Sequence, residues 1–233
     1  MKKVVFLLLP LMMLSCDPAD LQKILDSTAQ LSPQEAARGL KEALNIGVDE
    51  AVDFLAVKDG YYKSIYKVLL PEEARVVTDK LKIVPGFSRV EEVILEKINR
   101  AAEDAAKSAG PIFLGAIKQM TFQDAMGILT GTDNAATEYL NRNTNEALYQ
   151  EFNPVIINSL NKFNALEYWS DAVNKYNKLP FVSKVNPDLG DHVTNTAMSG
   201  LFSLVAVKEK GIRTDVSQRT TALLQKVFER QDP

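Results

Sequence analysis

The chain of 233 residues holds one cysteine, one histidine and one tryptophan. A single thiol forms no intramolecular disulfide, one thiol with one imidazole cannot complete a zinc site of the His/Cys type, and with no cysteine beyond Cys16, directly behind an apolar N-terminal run, a Cys–His nucleophile pair is not expected. No metal and no cofactor is therefore expected. His192 follows Asp191, but sequence neighbours do not face each other as a Ser-His-Asp triad requires. No G-x-S-x-G turn is present, so serine hydrolase chemistry is not expected either. Excess positive charge is also missing: the formal net charge is −3, a poor basis for binding nucleic acid, and none is expected as a partner. Long apolar runs are scarce. Val4 to Leu14 forms one, of about the seven-to-fifteen-residue length of a signal-peptide core and too short to span a bilayer.

That run is preceded by Lys2 and Lys3 and followed by Met13-Leu14-Ser15-Cys16. A basic start, an apolar core and a small residue before cysteine resemble the signal and lipobox of a bacterial lipoprotein, although leucine stands more often where Met13 is. The expectation is cleavage before Cys16 and attachment of diacylglycerol to its sulfur. A cut elsewhere, with Cys16 an incidental thiol, is the alternative. Each buried methylene stabilises membrane attachment by about 0.8 kcal/mol, so two or three acyl chains hold firmly where one does not. On this reading residues 1–15 are a signal peptide, 16–31 a lipidated N-terminus and tether, and 32–233 a helical domain held at the bacterial cell envelope. Asp17 retains lipoproteins at the inner membrane in some bacteria, but sorting rules differ between phyla, so the leaflet stays open.

With 46% apolar residues the domain has ample material for one core. Ser32-Pro33-Gln34-Glu35 has the order of an N-cap, a first-turn proline and a capping-box acid. Ala36, Leu40, Leu44, Val48, Ala51 and Leu55 then recur at helical spacing. Asp59-Gly60 breaks this helix, and the aromatic and β-branched stretch from Tyr61 to Leu70 reads as extended. Pro71 restarts a helix that Pro85-Gly86 ends. Ser88 with Glu91 repeats the capping spacing, and Gly110-Pro111 reads as a sharp turn. Further helices are expected at 111–120, at 122–129 behind Thr121, at 134–150 behind Asp133, and from Pro154 behind Asn153. Leu166, Trp169, Val173 and Tyr176 mark another. Residues 179–191 lack a pattern. The last two helices are placed at 192–210, closed by Gly211, and at 216–230, capped by Asp215. About nine or ten helices argue an all-α single domain.

The motifs GLKEAL (39–44), LLP (69–71), NRAAE (99–103), PIF (111–113), AIKQM (116–120), ILTG (128–131), AAT (135–137), GLF (200–202) and IR (212–213) appear in an order and spacing similar to those of the bacterial domain-of-unknown-function 4197 family. The resemblance runs from about Gly39 to Phe228. It implies an all-helical fold behind a secretion or lipoprotein signal, and no activity. Two departures stand out. Tyr61-Tyr62 occupies the place of a Gly- and Asn-rich turn, and the terminal helix lacks a proline before its arginine.

Asn99, Arg100 and Glu103 share a helix face flanked by alanines. Small neighbours admit a second helix, which would bury these polar groups and oblige each to find a partner. Arg213 and Arg219, at the start of the terminal helix, are the expected partners. The same arginines with Lys208 and Lys210 form a basic cluster suited to lipid headgroups, or to the dipole of the preceding helix. In Gly131-Thr132-Asp133-Asn134, Asp133 is expected to cap the next helix and so to repel an anion. Trp169 and Tyr176 read as core. Two functions remain open: a non-catalytic, membrane-tethered domain that binds or scaffolds an envelope protein or small ligand, and an envelope enzyme using Glu103 with arginines in a helical cleft. A deep pocket would favour the enzyme, a shallow exposed apolar patch the binding domain.

Overall fold

Helical periodicity dominates the sequence, and a computed structural model of the chain describes residues 31–229 except 87, 163 and 186–188, with the side chains of 72, 73, 165 and 168 also undescribed. Cys16 and the expected lipobox and tether lie outside these residues. The described residues form nine α-helices and one 3₁₀ turn, without a strand. None of these helices is long and apolar enough to cross a membrane.

Helix α1 (Pro33–Leu55) begins where Pro33 was expected to open it, and buries the predicted stripe from Ala36 to Leu55. A turn-rich connection leads to α2 (Glu72–Leu81), then α3 (Val90–Ala106), α4 (Ala109–Gln119) and α5 (Phe122–Leu129). The long α6 (Ala135–Lys162), α7 (Ala165–Tyr176), α8 (Gly190–Thr214) and α9 (Ala222–Phe228) complete the order, with the 3₁₀ turn Val216–Gln218 before α9. Helix α6 packs against both α3 and α8, and α1 packs against α8 as well. Phe113 of α4 meets Phe202 of α8 edge to face at 5.6 Å. Trp169 and Tyr176 are core residues.

Several boundaries differ from the sequence reading. The expected helices on either side of Asn153 are one: Pro154 sits on the exposed face, as does Gln150, whose carbonyl a proline at this position leaves unbonded, so the break costs least there. Asn153 is not a cap; its amide donates to Thr194 Oγ1 of α8 at 3.2 Å. Gly110 and Pro111 lie within the first turn of α4, where an N–H has no intrahelical partner anyway, and the bend falls at Lys107-Ser108. The N-cap position of α3 is Arg89 rather than Ser88, and Arg89 pairs with Glu92. Thr121 caps α5 as expected, reciprocated by Asp124. Gly211 does not end α8, which runs on to Thr214; a Cβ there would collide with the Gln218 side chain. Asp215 caps only the 3₁₀ turn, and Thr221 caps α9. The stretch 61–70 is no strand: it turns to residue 66 and is irregular beyond.

Candidate functional site

The connection between α1 and α2 is long and must leave the helix abruptly. Asp59 takes a left-handed conformation, φ 73°. A Cβ at Gly60 would strike the carbonyl oxygens of Phe54 and Leu55, so the chain can double back only over glycine. This turn drives Tyr61 into the core, where its hydroxyl donates to the Ala197 carbonyl of α8 at 2.8 Å. Burial, reinforced by Glu103, pushes the Tyr61 phenol far above its ordinary pKa, so it stays protonated and acts as a donor.

One face of α3 receives this connection. Glu103 is buried, and its Oε1 accepts from the N–H groups of Tyr61 (3.3 Å) and Tyr62 (3.2 Å). Its other oxygen accepts from Arg100 at 2.8 Å. Arg100 also reaches Asp59 at 2.7 Å and places its guanidinium 5.2 Å from the centre of the Tyr62 ring. Four residues earlier than Glu103, Asn99 presents its amide to Val68 as a strand neighbour would: Oδ1 accepts from the Val68 N–H at 2.8 Å and Nδ2 donates to the Val68 carbonyl at 2.9 Å. One helical turn thus supplies partners for backbone groups at two points of a connection that has no ladder of its own.

Asp59 is held below the usual carboxylate range, first by its hydrogen bond from Arg100 and then by that from Lys63. A depressed folded value means that the ionised pair stabilises the fold above the unfolded pKa, about 3.9, and that this contribution fades as pH falls through the folded value. Asp59→Asn is therefore expected to flatten the acid side of a plot of thermal midpoint against pH. Superimposable acid limbs in parent and variant would remove Asp59 from the network.

Asn99, Arg100 and Glu103 do form one buried polar cluster. Arg213 and Arg219 do not belong to it. Arg213 pairs with Glu209 on its own helix at 3.0 Å and donates to the Ile128 carbonyl at 2.9 Å. Arg219 donates to the carbonyls of Ile212 and Arg213. Both arginines are buried, so neither is available to a headgroup, while Lys208 pairs with Glu50 and Lys210 approaches Asp133.

Glu209 was missed by the sequence reading. Its carboxylate accepts from the N–H groups of Ala136 (2.9 Å) and Thr137 (2.8 Å) and from the Thr137 hydroxyl. The start of α6 is thus capped from α8 rather than by Asp133. The signal lay in Glu209 and Arg213, four apart and on the same stripe as Val205 and Ile212.

Above the α3 cluster opens a cleft of about 620 Å³, bordered by Lys58, Lys97, Arg100, Glu103, Lys107 and Lys162 among others. A second groove, of about 660 Å³, lies between α2 and the segment after α7. No group of three or more His, Cys, Asp or Glu residues placed to hold a metal occurs among the described residues.

An all-helical domain whose buried polar side chains hold an irregular inter-helix connection is the class defined by this architecture. Residues 30–229 match the family described as "Protein of unknown function (DUF4197)", and the chain belongs to that family. No curated protein and no solved structure matches it.

Proposed function

We propose that the protein is a membrane-tethered lipoprotein of the bacterial cell envelope whose helical domain binds or scaffolds an envelope component without catalysing a reaction. The observation that carries the non-catalytic part is the commitment of Glu103. Both of its oxygens accept hydrogen bonds from the fold, two from backbone N–H groups and one from Arg100. A general acid or base needs its proton site directed at a substrate, and this carboxylate is directed at the Asp59–Tyr62 turn. The tether rests on the Lys2-Lys3 start, the apolar core and Ser15-Cys16.

Cys16→Ser is expected to leave an uncleaved precursor without acyl label. Intact-mass analysis of the native protein showing a processed chain with an unmodified cysteine would reject lipidation. The enzyme reading keeps one support, since Glu103 and Arg100 do border the 620 Å³ cleft. A turnover lost in Glu103→Gln while the melting midpoint is retained would establish it in place of the binding role.

A further inference from the structure

The segment that leaves α7 forms a loop closed by one side chain. Asn177 Nδ2 donates to the Val185 carbonyl at 3.2 Å, and the Val185 N–H donates to Asn177 Oδ1 at 3.1 Å. An amide bonded to both backbone groups of one residue fixes the two ends, and the residues between them project. At the tip is Leu179-Pro180-Phe181-Val182. Phe181 has φ 61°, a left-handed conformation uncommon for a bulky side chain, and it is 106% exposed, so its ring packs on nothing in the domain. Leu179 and, across the groove on α2, Val76 are exposed beside it, and Ile83, three residues beyond Lys80, is 90% exposed.

The charge carried by the loop itself is of one sign. Lys175, Lys178 and Lys184 are exposed within a stretch, 175–185, that has no acidic residue, in a chain whose net charge is −3. Lys80 lines the same groove; its neighbour Asp79 is paired with Lys82. The nearest acids in sequence are Asp171, one turn back on α7, Asp188, four positions beyond Lys184 and outside the described residues, and Glu72 and Glu73, one turn before Val76 on α2. A second copy of the chain docking here about a two-fold axis would set lysines against lysines. An anionic bilayer suits the pattern: an aromatic and aliphatic tip enters the interface while flanking lysines meet the phosphates.

We propose that the 177–185 loop is a membrane-docking element, with Phe181 entering the headgroup region of an anionic bilayer and Lys175, Lys178 and Lys184 binding its phosphates. The loop geometry is independent of Cys16. Together with a lipid anchor it would give two-point attachment and set the orientation of the domain, each contact raising the effective concentration of the other.

The test uses the full chain carrying Phe181→Trp, compared with the parent, whose single indole is the buried Trp169. Vesicles of phosphatidylcholine doped with brominated phosphatidylglycerol are expected to blue-shift and quench the new indole and to leave the parent unaffected. Adding Lys178→Glu and Lys184→Glu should weaken partitioning by at least about fivefold for each lysine replaced. Recruitment through residues 1–31 alone would bring the protein to vesicles without immersing the tip, so the quench reads the loop and not the anchor. Failure of lipidation at Cys16 would leave it unchanged. An unshifted, unquenched indole overturns the proposal, as does equal quenching by neutral brominated vesicles. A vesicle-free blue shift that grows with protein concentration would assign the loop to a second copy instead. A shift produced by soluble envelope proteins but not by vesicles would assign it to a protein.

Discussion

Glu103→Ala is expected to lower the unfolding free energy by about 3–5 kcal/mol, the range for removing one partner of a buried charged pair. The effect comes from what is left behind. The glutamate side chain is 6% exposed, and its loss strands the N–H groups of Tyr61 and Tyr62 and removes one of the acceptors of Arg100. The buried Tyr61 amide then carries the penalty of an unmade bond away from water, and the half-buried Tyr62 amide a smaller one. Glu103→Gln keeps an acceptor for the amides but not the charge, and should fall between the alanine variant and the parent. Chemical denaturation gives the magnitude, and hydrogen exchange gives the location, with protection lost at residues 61 and 62 first. A denaturation midpoint within error of the parent would show that the cluster is not a structural clamp and would return Glu103 to the list of groups free for chemistry.

Glu209→Ala should be at least as severe. This carboxylate satisfies two N–H groups at the start of a 28-residue helix and neutralises Arg213, which is as deeply buried as it is. Without it, Arg213 keeps its bond to the Ile128 carbonyl but has lost the Glu209 anion. The expected loss is again about 3–5 kcal/mol, now with protection lost at Ala136 and Thr137. The two glutamates share no partner, so the double variant should equal the sum of the singles within about 0.5 kcal/mol. A larger discrepancy would mean that the clusters communicate, as the sequence expectation of an Arg213–Glu103 pair would have required.

The contrast between these sites shows what was legible in advance. Asn99, Arg100 and Glu103 were visible because they interrupt a face of alanines within one helical turn, and polar groups at such positions must be bonded. What they bond was not visible. The partners are the backbone of residues 61, 62 and 68, and a peptide N–H has no signature in a sequence. In the sequence Asp59 reads only as a helix breaker, and Tyr61-Tyr62 as the start of an extended stretch and a departure from a family turn. Glu209 carries a weaker signal, because it stands among lysines and arginines whose common charge dominates that stretch of sequence.

Local rules determined most of the helices. The apolar spacing of α1, the Thr121 cap and the stripe of α7 each depend on residues within a turn or two, and there propensity, capping and burial agree. The expectation of a signal and lipobox rests on the same kind of local information. Tertiary structure decided the rest. It carried α6 through Pro154 on the exposed face, and moved the cap of that helix from Asp133 to a residue more than seventy positions away. It also separated the arginines of the terminal region from the cluster on α3. The reason is physical: a cap, an ion pair or a buried amide is satisfied by whichever group the packing brings within about 3 Å, and that distance is set by the arrangement of helices rather than by neighbours along the chain.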